Sequence, residues 1–238
     1  MHKLRLHLRR QLSVLDGFWM LLLTFILMNG LVGSGIVPVE RLAGFLPGGA
    51  MGINCLLVQQ LLQVLIMVGL VFWFLHLRGV TARRIGLRPF AQRRWIVLSI
   101  FCGVATFFVM LLLTTWMAQL FPQWAKPQTV TELIMQARTG WEWLAAILIV
   151  SVLAPFSEEL LFRGYIYHSL RQYRGVTFSI VITSLLFGCM HYDLFRLLPL
   201  TLVGCCLNLV SVRSGSLWGS ILMHGTWNFM MTLVMMAL

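Results

Sequence analysis

Glu158 and Glu159 stand side by side in residues 151–164 (SVLAPFSEELLFRG), an otherwise apolar run closed by Arg163 and Gly164. The whole chain has only seven acidic residues, so two adjacent ones in such a run are conspicuous. An ionised carboxylate in hydrocarbon costs several kcal/mol or more unless it is paired or wetted, which makes intramembrane acids functional candidates. On a helix Glu159 and Arg163 are i and i+4 and can pair, while Glu158 points about 100° away and needs another partner. A purely structural ion-pair cluster between helices is the competing reading. Further along, His191 ends SLLFGCMH with Phe187 one turn before it, and His224 and Asn228 share one face of GSILMHGTWNFM. Glu and His together can hold and deprotonate a water, and a His–Asn pair offers donors to a tetrahedral oxyanion. No Ser or Cys stands beside a base as a nucleophile. These parts suit hydrolysis of an amide inside a membrane, and Glu and His could equally hold a metal with an open water position. The H-E-x-x-H spacing that would point to zinc directly is absent.

Composition says what must carry these groups. Of 238 residues 59% are hydrophobic and 11% charged, with mean hydropathy +0.87, which specifies an all-α polytopic membrane protein and excludes a soluble domain. The net charge of +11 would suggest nucleic acid in a soluble chain. Here the basic residues flank apolar spans and mark loops at an anionic membrane surface instead. The five cysteines lie in apolar segments without metal-ligand spacing and read as small buried hydrophobes.

The apolar pattern predicts about seven spans, near 18–37, 51–75, 95–118, 141–173, 177–190, 194–212 and 217–238. The first follows the basic start MHKLRLHLRRQL and reads as an uncleaved helix, since no A-x-A pattern follows it. Gln59 and Gln63 share a face of the second and are expected to hydrogen-bond between helices. Residues 131–138 suggest a short interfacial helix. The fourth span, roughly 50 Å long, should protrude at its basic end, and the fifth is short for a crossing. Pro155 should free the Ser151 carbonyl and kink the fourth helix, either as a notch for water or substrate or for packing alone. Ser216 and Ser220 extend the His224 stripe and would let helices approach closely.

With the N-terminus inside, thirteen basic residues fall on inner segments: Lys3, Arg5, Arg9, Arg10, the arginines at 78, 83, 84, 88, 93 and 94, then Arg171, Arg174 and Arg213. Four fall outside, Arg41, Lys126, Arg138 and Arg196. This asymmetry predicts an N-terminus inside and a C-terminus outside. At 1.5 Å per residue from the inner ends, Glu158 lies about 22 Å deep, His191 about 21 Å and His224 about 10 Å. Tilt allows one shared cavity, with His224 the least comfortable member.

Glu158-Glu159-x-x-x-Arg163, Phe187-x-x-x-His191 and His224-x-x-x-Asn228, in that order on late helices, resemble the CPBP family, which includes type II CAAX prenyl endopeptidases and bacteriocin-processing and self-immunity proteins. The resemblance covers residues 141–238, and residues 1–140, a three-span region with loops, carry no motif. It implies an intramembrane endopeptidase of a multi-pass plasma-membrane protein, acting on a membrane-associated peptide or protein, with the lipid bilayer and no nucleic acid as partner. Glu158 and His191 would activate the water, His224 and Asn228 would stabilise the oxyanion, and Glu159 with Arg163 would support them. The favoured form has no cofactor. The alternatives are zinc held by Glu159, His191 and His224, a non-catalytic membrane immunity or partner protein that keeps the motif for structure, and a small transporter using the cluster as a proton or solute site. The absence of inverted repeats argues against the last.

Overall fold

The computed structural model describes residues 11–48 and 51–237, and these are helical with no strand among them. The helices are α1 Val14–Gly33, α2 Val39–Ala43, α3 Met51–Arg78, α4 Arg94–Leu120, α5 Thr129–Met135, α6 Gly140–Arg174, α7 Val176–Cys189, α8 Leu194–Ser214 and α9 Leu217–Ala237. A helix stands at each of the seven expected places. Five of them, α1, α3, α4, α6 and α8, are long and apolar enough to cross a membrane. At 14 residues α7 is short, as its sequence suggested. The 21-residue α9 has the length, but Ser220, His224, Thr226 and Asn228 interrupt its apolar run. Between the spans, α5 begins two residues before the interfacial helix expected at 131.

The outer helices present large apolar side chains outward, such as Leu65, Phe101 and Leu112, as a lipid-facing surface requires. In the centre runs α6. It starts with a capping box: the Thr139 hydroxyl accepts from the Glu142 N–H while the Glu142 carboxylate accepts from the Thr139 N–H. Leu160 to Tyr167 is then buried on every side, against α1, α3, α7, α8 and α9. A helix enclosed all round is the rigid element on which a site can be placed.

An ion pair that the sequence reading did not find fastens the first helix to this centre. Asp16 in the first turn of α1 accepts from Arg78 at the end of α3 (2.7 and 2.6 Å) and from the Tyr165 hydroxyl of α6 (2.6 Å). On the other flank, a Cβ at Gly103 of α4 would come within 2.6 Å of the Met223 carbonyl, so glycine is what allows α4 to seat directly against α9. The expected interhelical bond of Gln63 is replaced by a different arrangement. Its amide donates to the Met67 sulfur on the same helix (3.8 Å), and the side chain lines a cavity.

The loops gather as their charge alternation implies. The 79–93 loop, the end of α6 and the α8–α9 turn meet at one end, where the Leu217 N–H donates to the Gly86 carbonyl (2.8 Å). At another place Arg196 donates to the Lys126 carbonyl (2.9 Å), joining two of the loops expected outside. Lys3, Arg5, Arg9 and Arg10, which weigh in the orientation, and Leu238 lie outside the described residues. A reporter fused after Arg88 is expected to give a cytoplasmic signal and one after Leu238 an external signal. Cytoplasmic reporting from both would contradict an odd number of crossings.

Candidate active site

The two glutamates sit on a helix that is not uniform. Leu148–Leu153 and Leu160–Ile166 are π-helical, and the α-helical segment Ala154–Glu159 lies between them. The Ala154 N–H reaches back to Ile149 and the Tyr167 N–H to Phe162, five residues each. Such wide turns are rare and concentrate at functional sites. They leave carbonyls poorly matched within the helix, and α9 meets two of them. The Asn228 amide donates to the Val150 carbonyl (2.7 Å). A Cβ at Gly225 would stand 2.6 Å from the Ser151 carbonyl, the one freed by Pro155. Glycine at 225 therefore lets α9 seat directly on α6 at the carbonyl that Pro155 leaves without its helical donor. Gly225→Ala is expected to force these helices apart and lower stability by about 1–3 kcal/mol. Thermal unfolding in detergent checks this, and an unchanged midpoint would mean the contact is soft.

Glu159 and Arg163 pair as their spacing predicts. Arg163 Nη1 lies 2.7 Å from Glu159 Oε1, with both side chains fully buried. The guanidinium also donates to the Gly204 carbonyl (3.4 Å) and lies 4.3 Å from the Phe187 ring centroid. The same Oε1 accepts from His224 Nδ1 at 2.9 Å. His224, the member that depth counting fitted worst, is thus firmly in the cluster.

His191 follows the end of α7. Its Nδ1–H donates to the Phe187 carbonyl (2.9 Å), satisfying a terminal carbonyl of the helix and leaving Nε2 as the free ring nitrogen. The next residue, Tyr192, has φ 51°, uncommon for a non-glycine residue, and turns the chain sharply away.

The candidate residues thus form two groups. Glu158 and His191 both line a cavity of about 700 Å³, walled on the far side by α1 and α3 through residues including Phe18, Phe25, Asn29 and Met67. Behind it lies the buried triad Arg163–Glu159–His224. The link between the groups is Glu158 Oε2, 4.0 Å from His224 Nε2. Phe187 packs between them, edge-on to His191 (4.9 Å) and to His224 (5.8 Å). Asn228 is held against Val150 rather than on the cavity wall. Sequence reasoning missed Trp227, which stacks on His224 at 5.7 Å, and the part of α1 in the cavity wall, whose apolar residues look like any lipid-facing stripe.

The zinc alternative would require Glu159, His191 and His224 to converge on one point. Glu159 is tied to a guanidinium, while His224 and His191 are held through Nδ1 by Glu159 and by a backbone carbonyl with Nε2 free in each, an orientation that a metal-ligating histidine also takes. Among the described residues no group of three or more His, Cys, Asp or Glu is arranged to hold a metal ion.

The chain is thus an all-helical protein with paired glutamates and two histidines gathered on its late helices. Residues 140–230 match the family model "Type II CAAX prenyl endopeptidase Rce1-like". The chain is also 27% identical over 217 residues to a curated protein of Bacillus subtilis (strain 168), "Putative membrane peptidase YdiL", covering 87% of this chain and 84% of that one. No solved structure matches. Both likenesses are to membrane peptidases, the family model over the late helices and the relative over most of the chain.

Proposed function

We propose that the protein is a glutamate-dependent endopeptidase that hydrolyses peptide bonds of a membrane-associated peptide or protein, with no resident metal. The observation that carries this reading is the shared cavity: Glu158 and His191 are the two groups on its wall able to take a proton from water. The remaining lining is mainly apolar, suited to a segment of chain entering from the bilayer.

In this reading water sits between the Glu158 carboxylate and His191 Nε2. Glu158 takes its proton as the oxygen attacks the scissile carbonyl, and returns it to the leaving amine as the tetrahedral intermediate collapses. His224 is held through Nδ1 by Glu159, so Nε2 is the ring nitrogen it presents to the oxyanion. Glu159, itself paired with Arg163, fixes the orientation of the His224 ring. Asn228, bonded to Val150 and off the cavity wall, would have to turn its second N–H toward the oxyanion as substrate binds.

The reading is tested by reconstituting the purified protein in lipid nanodiscs with a pool of membrane-derived peptides and sequencing new termini by mass spectrometry. New termini inside apolar segments support it. Failure to cut any member of a broad pool, by protein verified as folded, favours a non-catalytic role. Localisation to the plasma membrane follows the multi-pass architecture and is checked by fractionation.

A further inference from the structure

A second cavity, of about 270 Å³, lies at the basic end of the bundle, where the loop after α3, the last turns of α6 and the α8–α9 turn meet. Direct bonds stitch these elements together. Besides the Leu217–Gly86 bond, Arg88 Nε donates to the Gly215 carbonyl (2.6 Å) and the Ser216 hydroxyl to the Arg88 carbonyl (2.5 Å). Four guanidinium groups, those of Arg83, Arg84, Arg88 and Arg171, line the space, and no carboxylate is among its lining residues. Such a concentration of one charge in a concave site focuses positive potential on whatever fills it.

An independent observation points to the same space. Tyr167 lines it, the residue is 1% exposed, and its O–H has no acceptor, the side chain within reach of the hydroxyl being the donor Arg171. Buried hydroxyls are nearly always bonded, so an orphaned one on the wall of a polar cavity marks the place of a missing acceptor. Arg171, one turn further on α6, has its guanidinium carbon 6.0 Å from the Tyr167 ring centroid, so both can address one ligand. His168, also on the wall, donates Nδ1–H to the Arg163 and Gly164 carbonyls (2.9 and 2.8 Å), which fixes its ring.

We propose that this cavity is a binding site for a phosphate group. Phosphate offers several acceptor oxygens to guanidinium forks at once, and it would take the Tyr167 O–H as a further donor. The group can come from a phospholipid headgroup or from free phosphate. The site lies where α3 and α6 end, at Arg78 and Arg174, the level at which basic residues meet anionic headgroups. It is separate from the cleavage site, since Tyr167 lies nine residues beyond Glu158, or about 13 Å along the helix. A ligand held here grips the end of α6 and the start of α9 together. Those are the helices that bring Glu159 to His224, so occupancy braces the buried triad.

The test uses the full chain in nanodiscs and does not depend on proteolysis. One arm compares phosphatidylcholine discs with discs containing phosphatidylglycerol, measuring retained lipid by native mass spectrometry and the thermal midpoint. The other titrates inorganic phosphate into phosphatidylcholine discs. Tyr167→Phe, which keeps every charge, and Arg171→Gln are each expected to weaken binding on the order of tenfold. A double Arg93→Gln/Arg94→Gln variant, in the same loop but off the cavity, should bind as the parent does. A response in the lipid arm assigns the site to a headgroup, and a response only to inorganic phosphate assigns it to the soluble ion. The proposal is overturned if neither ligand binds, if Tyr167→Phe and Arg171→Gln bind as tightly as the parent, or if the Arg93/Arg94 variant loses as much as they do. The last result would mean diffuse attraction to a charged surface.

Discussion

Glu158→Gln is expected to lower peptide turnover by about 10²–10⁴-fold, the usual worth of a general base, while leaving the fold intact. The change keeps the side chain's shape and removes only its ability to take a proton. Glu158 is the less buried of the two glutamates, its side chain 23% exposed where Glu159 is fully enclosed, and it lines the cavity shared with His191. Its carboxylate makes no short ion pair that the amide would break, the nearest being His224 Nε2 at 4.0 Å. Cleavage rates of parent and variant, compared at matched thermal stability, check this. Equal rates would remove Glu158 from the chemistry.

Arg163→Ala should act on the fold first. Its guanidinium is fully buried and meets Glu159, the Gly204 carbonyl and the face of Phe187. Removing it strands the Glu159 carboxylate without its cation, and breaking a buried pair in this way costs about 3–5 kcal/mol. Less folded protein and a lower unfolding midpoint are expected, with activity reduced further because Glu159 also holds His224. A double Glu159→Gln/Arg163→Met variant separates the two effects. It has no stranded charge, so stability should recover much of the loss, while turnover stays low for want of the carboxylate behind His224. An Arg163→Ala protein that is fully folded and fully active would contradict the supporting role.

The sequence made some of this visible and hid the rest for physical reasons. The positions of the seven helices expected as spans follow from apolar runs bounded by charge. The Glu159–Arg163 bond follows from i,i+4 spacing because it depends on one helix alone. Contacts between helices were harder. His224 reaches Glu159 through the π turns of α6 and the close approach of Gly225 to Ser151, and no spacing rule measures those. Asp16 escaped notice because its partners, Arg78 and Tyr165, are remote in sequence. The wall that α1 gives to the cavity was equally hidden, since Phe18 and Phe25 read alike whether they face lipid or substrate. Tyr167 looks like an ordinary core aromatic until the basic loop is folded against it.

The central claim is that Glu158, with His191, activates water for peptide cleavage in the membrane without a metal. The direct measurement is cleavage of one verified membrane peptide by purified parent and Glu158→Gln protein, each with and without a strong chelator. The expected result is undiminished cleavage by the parent in chelator and none above background by the variant in either condition. Loss of parent activity in chelator with recovery on adding zinc, or cleavage by Glu158→Gln at the parent rate, would contradict it.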